Sequence, residues 1–404
     1  MALNNRVAIV GAGPVGTVAA IACARRGMQV HLIEAEQAID HGPRAATTHP
    51  STLEMLASLD LLEEFQSLGL VARSFQIWDR PSMTVVAEFD HDLLKDETPY
   101  PYVVQTEQHK LAELGIRRLQ KMSQATVHMG TRVTDIAQDD AGVRLTIDCD
   151  GQSEVLECDW LIGCDGGRST VRKAMEIEFE GYTWPERFLV LTTLFDFEKA
   201  IGCNRRSYFS DPEEWTNLFK VMGDDMLGRW RAVFPTRVGE SDEEAFSEQT
   251  VRARLGKFYP AHPMEALVHR NIYHVHQRVA KSFRKGRVFL AGDAAHVNNP
   301  IGGLGLNCGI HDAMDLADTL QQVIEGSVPF ELLERYDRRR RPLNIEYVQQ
   351  QTIANKKRLE ETDPAVREAN FDQLRRTAAD PVQAKAFLMK SSLIESVRKA
   401  SRIA

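Results

Sequence analysis

The 404-residue sequence predicts an α/β fold in which a mainly β-sheet domain is inserted into a parallel-sheet domain, with a helical C-terminus. Two apolar runs, 7–10 and 29–34, enclose a glycine-rich turn and a helix of small residues, which is the pattern of a βαβ unit. A third buried strand is predicted at 287–291. Residues 180–280 contain most of the tryptophans and several strand-like runs. The parallel-sheet unit is therefore predicted to be discontinuous.

Further elements are predicted between these strands. Residues 52–70 and 107–123 have helical spacing of their apolar side chains, whereas 73–104 predict strands and loops. Residues 126–162 predict a meander with a hairpin turn at 150–151 and a last, buried strand. The predicted boundaries are 1–72, 105–178 and 281–345 for the parallel-sheet domain, 73–104 and 179–280 for the inserted domain, and 346–404 for the C-terminal helices.

The composition narrows the classes of partner and compartment. The formal net charge of -8 gives no electrostatic reason to expect nucleic acid, and it disfavours steady binding to an anionic membrane surface. The 6 cysteines form no Cys-x-x-Cys pair and are scattered, so neither a zinc site nor a disulfide framework is expected. No signal-like segment precedes the first strand. We expect a reduced, cytoplasmic protein without a metal, as a monomer or a homodimer.

The turn Gly11-x-Gly13-x-x-Gly16 lies between the first predicted strand and the helix. Gly11 permits the tight turn, Gly13 lets the backbone approach a pyrophosphate, and Gly16 lets the helix pack closely on the strand. The helix N-terminus offers free N–H groups to phosphates. Glu34 ends the second strand, where its carboxylate can accept hydrogen bonds from the hydroxyl groups of an adenosine ribose. These features predict a Rossmann-like dinucleotide site, without separating FAD from NAD.

A second glycine-rich segment, residues 286–307, reads GRVFLAGDAAHVNNPIGGLGLN. It resembles the signature of class A flavoprotein monooxygenases, the para-hydroxybenzoate hydroxylase group. The resemblance implies that Asp293 binds the ribityl chain of FAD and that Asn307 opens a helix whose N-terminus faces the flavin ring. It also assigns a group of residues next to that ring: Pro300, Gly302, Gly303 and Leu304. A helix N-terminus there would stabilise the negative charge of reduced flavin.

Four weaker matches follow the same family. The segment 164–172, CDGGRSTVR, resembles a motif implicated in binding both FAD and the nicotinamide cofactor, with Asp165 as its acid. Arg44 resembles an arginine that reaches the FAD phosphates, and Gln105 resembles a glutamine near the flavin. Val133 lies where relatives touch adenine through the backbone. The chain has Asn before Pro300 where many relatives have a second proline.

The resemblance implies a two-part reaction. NADH or NADPH reduces FAD, and O2 then forms a flavin C4a-hydroperoxide that transfers OH to an electron-rich ring. The substrate is expected to be a small aromatic compound, either phenolic or a hydroxylated N-heteroaromatic. Two alternatives stay open: an FAD-dependent reductase or dehydrogenase that does not use oxygen, and a non-enzymatic binding module. The family's ribityl-binding aspartate argues against the binding module.

The sequence says less about the groups that handle substrate and protons. His49 follows the Arg44 loop, Tyr208 and Tyr182 lie in the inserted domain, and His296 lies within the second glycine-rich segment. Each is a candidate for contact with a phenol or its proton, but each is also explained by structural packing.

Two arginines are further candidates. Arg229 and Arg231 alternate around Trp230 on a predicted strand, so both point to one face. There they would bind a substrate carboxylate, lie over the flavin, or form a solvated basic surface. The candidates for catalysis are therefore His49, Tyr208 and Arg229, with Arg231 as the neighbour of the last.

Overall fold

Residues 5–42, 44 and 46–404 are described by a computed structural model of the chain. Their strands form two large sheets and two small ones. The strands are β1 (Arg6–Val10), β2 (Gln29–Ile33), β3 (Thr47–Thr48), β4 (Leu70–Ala72), β5 (Ser74–Asp79), β6 (Thr84–Asp90), β7 (Val103–Gln105), β8 (Ala125–His128), β9 (Thr131–Gln138), β10 (Val143–Cys149), β11 (Gln152–Cys158), β12 (Trp160–Gly163), β13 (Phe179–Thr193), β14 (Arg206–Ser210), β15 (Thr216–Val221), β16 (Arg229–Pro235), β17 (Leu267–Ala280), β18 (Arg284–Lys285), β19 (Val288–Leu290) and β20 (His296–Val297).

The helices cover the sheets and make up most of the chain after residue 304. They are α1 (Pro14–Arg25), α2 (Pro50–Ser58), α3 (Leu62–Ser67), α4 (Gln108–Leu119), α5 (Thr170–Ala174), α6 (Phe197–Ile201), α7 (Asp242–Phe246), α8 (Glu248–Phe258), α9 (Gly305–Ile324), α10 (Glu334–Asn344), α11 (Gln350–Leu359), α12 (Pro364–Ala379), α13 (Pro381–Ser391) and α14 (Ile394–Ala400). A π-helical turn, Ile345–Gln349, joins α10 to α11.

The six-stranded sheet has the order β18-β19-β12-β1-β2-β8, and its strands are parallel except for β18. Every residue of β12 and β19 is buried, as a parallel sheet covered on both faces requires. Helices α1, α4 and α9 pack together beside it. The predicted α/β fold class is confirmed, including the return of the chain to this sheet at β19.

The eight-stranded sheet has the order β20-β17-β13-β16-β15-β14-β5-β6 and is antiparallel except between β5 and β14. On its outer face, Leu189 and Trp230 pack in one hydrophobic cluster with Leu255 of α8. The alternate residues, such as Val190 and Arg231, point to the opposite side, which we call the inner face. The inner face is turned toward the second glycine-rich segment, and this contact positions the candidate site.

Two predicted elements differ from the structure. Residues 52–70 form two helices, α2 and α3, because the chain turns at Asp60, whose φ of 55° is left-handed. Short polar side chains such as aspartate tolerate this conformation. The predicted meander contains only β9 to β11, since β8 pairs in parallel with β2 of the six-stranded sheet. The turn at 150–151 is confirmed as a hairpin, with φ values of 51° and 81°.

Close packing of α1 on α4 gives a test of the fold. A Cβ added to Gly115 of α4 would lie 2.6 Å from the Cβ of Thr17, whereas one added to Gly256 of α8 meets nothing within 4 Å. Gly115→Ala should therefore lower the free energy of unfolding by about 1–3 kcal/mol. Gly256→Ala should raise the free energy of unfolding by about 0.5–1 kcal/mol, because alanine has less conformational entropy than glycine in the unfolded chain. Denaturant unfolding of both variants measures the difference, and a loss of stability in Gly256→Ala or none in Gly115→Ala would contradict this packing.

Candidate active site

The first glycine-rich turn contains two kinds of glycine. A Cβ added to Gly11 would lie 2.5 Å from the carbonyl oxygen of Cys164, and one added to Gly16 would lie 1.9 Å from that of Gly11. Contacts within the protein therefore exclude a side chain at both positions. A Cβ added to Gly13 would meet nothing within 4 Å. Only a bound ligand would require glycine at this position.

The start of α1 and the end of β2 lie next to this turn. Gly13 is the N-cap of α1, no side chain caps the helix, and its first turn contains no acidic residue. Free N–H groups at such a terminus attract anions. Glu34 is held beside the turn because its Oε2 accepts a hydrogen bond from the N–H of Ala12 at 2.8 Å. Val133 is close by on β9, two residues after Thr131, whose N–H donates to the carbonyl of Glu34.

Asp293 lies in a 3-10 turn, Gly292–Ala294, directly after β19. Asp293 is exposed to solvent, yet nearby protein atoms partly desolvate its carboxylate and raise the pKa of that group, while His296 and Arg44 act to lower it. No hydrogen bond or ion pair engages this carboxylate within the part of the chain that the structure describes. The carboxylate of Asp293 is thus free to accept hydrogen bonds from the hydroxyl groups of a ligand.

A buried ion cluster supports the Asp293 turn from behind. The carboxylate of Asp312 accepts hydrogen bonds from the N–H of Gly292 at 3.1 Å, from His296 Nε2 at 2.7 Å and from Arg340 Nε at 2.7 Å. Burial lowers the pKa of His296, but the neighbouring Cys308 and Asp312 outweigh it and raise that pKa to about 10. His296 is therefore a structural residue of this buried cluster.

The second turn, at Pro300–Gly303, lies against β3. Gly302 and Gly303 have φ values of 111° and 68°, and a Cβ on Gly303 would lie 2.7 Å from that of Thr47. The side-chain amide of Asn307 donates to the carbonyls of Thr47 at 2.9 Å and Gly303 at 2.6 Å. Its oxygen accepts from the N–H of His49 at 2.8 Å. Asn307 therefore joins Thr47 and His49 to the second turn, within the first turn of α9, whose N-terminus no side chain caps.

Two buried side chains near this junction have atoms without partners. Gln105 Oε1 accepts a hydrogen bond from Thr47 Oγ1 at 2.5 Å, but Gln105 Nε2 has no partner among the described residues. His49 Nε2 lies 2.9 Å from the carbonyl of Gly302 and must donate to it, so Nδ1 is an acceptor, and it has no partner in the same set. Burial, followed by the charge of Arg206, lowers the pKa of His49 well below its usual value. An unsatisfied buried donor such as Gln105 Nε2 is costly unless a ligand accepts from it.

Two cavities separate the second turn from the inner face, and Ile301 lines both. The first, of about 540 Å³, is bounded by Arg44, Ala46 and residues of the second turn and of β3, β13, β15, β16 and β17, including Thr47, Pro300, Gly303, Phe188, Asn217, Arg231 and Tyr273. The second, of about 570 Å³, is bounded by β5, β14, Gly302, Leu304 and the C-terminal helices, including Phe75, Arg206, Tyr208, Asn355, Arg358 and Phe387.

Four arginines line the cavities, and no aspartate or glutamate of the described residues does so. Arg44 pairs with Asp40 at 3.2 Å. Arg231 donates to the carbonyl of Arg44 at 2.6 Å, and its Nε has no partner. Arg206 donates to the Tyr208 hydroxyl at 3.0 Å and the Gly302 carbonyl at 3.1 Å. Arg358, on α11, is half-buried. Such cavities favour anionic ligands, because buried positive charge is costly without a partner.

Of the predicted catalytic and substrate-contacting residues, His49, Tyr182, Arg229 and His296 line neither cavity, and the predicted cofactor residue Asp165 also lies outside them. Arg229 is on the same strand as Arg231 but pairs with Asp225 at 2.7 Å and lines neither cavity. Tyr182 is exposed on the edge of β13. The carboxylate of Asp165 accepts from the N–H groups of Thr170 and Val171 at the start of α5, so it is already engaged within the protein.

The cavity residues that the sequence analysis missed include Arg206, Asn217, Tyr273 and Arg358. Arg206 is two positions from Tyr208, so strand alternation would have placed both on one face. Arg358 follows two lysines on a helix, and no local signal distinguishes it from a solvated basic residue.

Two clusters have side-chain atoms within 4.8 Å of one another, close enough for a metal ion: His41, His109 and Asp224, and His296, Cys308 and Asp312. Arg340 already supplies a cation to the second cluster. The absence of a metal stays a prediction. Within the described residues, no helix is both long and apolar enough to cross a membrane.

Comparison with known proteins identifies the family. Residues 4–351 match the family described as FAD binding domain. The chain belongs to this family. It is 32% identical over 95% of its length to para-nitrophenol 4-monooxygenase of Pseudomonas sp. (strain WBC-3), of which it covers 94%. It is 31% identical over 90% of its length to 6-hydroxy-3-succinoylpyridine 3-monooxygenase of Pseudomonas putida, of which it covers 91%.

A solved structure agrees with these sequence relatives. The p-nitrophenol 4-monooxygenase PnpA of Pseudomonas putida DLL-E4 superimposes with a TM-score of 0.90 at 29% identity, covering 98% of this chain and 99% of that one. The expected resemblance and fold are confirmed. The chain is an FAD-dependent aromatic monooxygenase.

The two kinds of glycine predict different effects of the same substitution. Gly13→Ala should leave the unfolding temperature of the FAD-free protein unchanged and weaken FAD binding at least about tenfold, because its methyl group enters the ligand's space. Gly16→Ala should lower the unfolding temperature even without FAD. Thermal unfolding and FAD titration by flavin fluorescence measure both effects. Tight FAD binding by Gly13→Ala would show that this turn does not hold the diphosphate.

Three buried histidines predict the response to acid. Burial lowers the pKa of His91 and His311 to about 3 and that of His49 well below its usual value. The unfolded chain binds these protons near pH 6.5, so the free energy of unfolding should fall as the pH drops from about 6.5 toward 3.

The expected slope is up to about 1.4 kcal/mol per pH unit for each histidine. His311→Gln should reduce the slope in urea unfolding between about pH 4.5 and 7. The exposed His269 provides the control, since His269→Gln should leave the slope unchanged. Equal slopes in all three proteins would contradict the buried, neutral state of His311.

Proposed function

We propose that this chain uses NADH or NADPH and O2 to hydroxylate a small phenolic ring or a hydroxylated N-heteroaromatic ring. The observation that carries the proposal is the pair of cavities beside the second turn, whose walls are largely apolar and whose arginines, apart from Arg44, pair with no carboxylate of the described residues. The two relatives compared above are named for a nitrophenol and a hydroxypyridine, which supports this class of substrate.

The described residues fit FAD. The open space at Gly13, the free carboxylate of Asp293 and the partnerless Nε2 of Gln105 match a diphosphate, a polyol and a ring with acceptor atoms, in that order. The proposed FAD ligands are Gly11, Gly13, Gly16, Glu34, Arg44, Gln105, Val133, Asp293, Pro300, Gly302, Gly303, Leu304 and Asn307. We propose that Asp165 acts indirectly, by fixing α5. When bound, FAD supplies electron transfer from the nicotinamide cofactor and the activation of O2.

The arginines would bind the substrate in its ionised form. A guanidinium close to a phenol hydroxyl favours the phenolate and lowers the phenol's pKa. A phenolate is also more electron-rich than a phenol, as ring hydroxylation requires. Arg206 is suited to this role because it is buried on the inner face and has no carboxylate partner.

Tyr208 is the proposed contact for the substrate oxygen. Because its oxygen accepts a hydrogen bond from Arg206 Nε, its own proton is free to be donated toward the cavity. His49 is neutral, and Nε2 holds the Gly302 carbonyl, so we propose that it positions the turn. Phe188, Val190 and Phe219 wall the first cavity and would exclude water from the reacting groups.

The experiment is a screen of phenols, hydroxybenzoates and hydroxypyridines with the FAD-loaded protein. At least one should stimulate NADH or NADPH oxidation and yield one hydroxylated product per coupled turnover, with its new oxygen derived from 18O2. Tyr208→Phe should lower kcat by about 100-fold or more if Tyr208 transfers a proton.

The matched control is Tyr182→Phe, which lies outside both cavities and should retain the wild-type kcat. Product formation without oxygen would replace the hydroxylase proposal with the reductase alternative. Equal kcat values for the two variants would remove Tyr208 from the mechanism without affecting the assignment of the reaction.

A further inference from the structure

Helix α11 contributes a polar wall to the second cavity. Gln351, Asn355 and Arg358 follow one another at spacings of four and three residues, so they share one face of the helix. The lining also includes the apolar side chains of Phe75, Ile77 and Phe387, which pack in one hydrophobic cluster. A ligand in this cavity would therefore meet an apolar side and a polar side.

Arg358 is the cationic group of that polar wall, and it has no partner. No hydrogen bond or ion pair engages its guanidinium within the part of the chain that the structure describes. Burial lowers its pKa, and no neighbouring carboxylate raises it. The other arginine of this cavity, Arg206, donates to two oxygen atoms instead. The lack of a partner is therefore specific to Arg358.

The acidic groups near α11 are paired with a different cation. Lys356 forms ion pairs of 2.5 Å with both Glu186 and Glu360. Leaving a partly buried guanidinium unpaired is costly, whereas an oxyanion in the cavity would satisfy it. The planar guanidinium fork matches a carboxylate in a bidentate contact.

We propose that Arg358 is a specificity-determining residue that binds a carboxylate on the aromatic substrate. The proposal rests on the function proposed above and names the substrate class for that site, a hydroxylated aromatic acid. The ring would lie along the wall of Phe75 and Phe387, with its hydroxyl toward Tyr208 and its carboxylate toward α11. Asn355 already donates to the carbonyl of Ile301 at 3.3 Å and so holds α11 against the second turn.

The test compares acids with amides of the same shape. The probes are 4-hydroxybenzoate, 4-hydroxyphenylacetate and 3-(4-hydroxyphenyl)propanoate, each paired with its primary amide, and p-nitrophenol as a ligand without a carboxylate. Calorimetric titration of the oxidised, FAD-loaded protein should show at least one acid binding about tenfold or more tightly than its amide. KM values for the stimulated oxidation of NADH or NADPH should show the same preference.

Three variants test whether Arg358 causes the preference for an acid over its amide. Arg358→Met should abolish the difference between acid and amide while leaving the affinity for the amide within about twofold of wild type. Arg358→Lys should retain part of it, because a lysine keeps the charge without the bidentate fork. Arg229→Met removes an arginine that lies outside the cavities, so this variant should retain the full difference in affinity between acid and amide. Unchanged unfolding temperatures would confirm that the variants are folded.

The outcomes separate this inference from the proposed function. If no acid binds more tightly than its amide, or if Arg358→Met keeps the preference, the carboxylate subsite is wrong. Hydroxylation of p-nitrophenol or an amide would then still support the monooxygenase proposal. If no probe stimulates oxidation of the nicotinamide cofactor, the proposed substrate class fails, whereas calorimetry still decides whether Arg358 binds carboxylates.

Discussion

The side chain of Asn307 holds the second turn against Thr47 and His49, which lie about 260 residues away in the chain. It is completely buried and makes three hydrogen bonds, to Thr47, His49 and Gly303. Loss of any of these bonds would leave a buried polar group unsatisfied. The position of the second turn relative to Thr47 and His49 is therefore strongly fixed. The space beside Gln105 and both cavities on the inner face depend on this junction.

The charges along the candidate site follow the chemistry of the ligand expected there. The uncapped N-terminus of α1 offers N–H donors at one end, the free carboxylate of Asp293 lies in the middle, and the uncapped N-terminus of α9 lies at the other end. FAD presents an anionic diphosphate, a polyol and a ring with acceptor atoms in the same order. The Asp312 ion cluster holds the Gly292–Ala294 turn, which contains Asp293, in place without occupying the site.

The sequence was sufficient to predict features that depend on local geometry. The glycines of both turns, Glu34 and the strand at β19 could be located because tight turns and buried strands leave clear patterns. The pairing of β8 with β2 could not be predicted, because the residue pattern of a strand does not indicate which sheet the strand joins. Arg229 and Arg231 were equivalent by alternation, and only the tertiary fold brings Arg231 to the cavity. Arg358 is recognisable only once α11 is seen to form a cavity wall.

On this account, one FAD molecule lies extended from the N-terminus of α1 to the first cavity, which Thr47, Pro300 and Gly303 line. A crystal structure of the FAD complex tests it most directly. We expect the diphosphate within hydrogen-bonding distance of the first N–H groups of α1, and the isoalloxazine in the first cavity, against Thr47, Pro300 and Gly303 and close to Gln105 Nε2. A flavin ring bound elsewhere, or a diphosphate away from α1, would contradict the account.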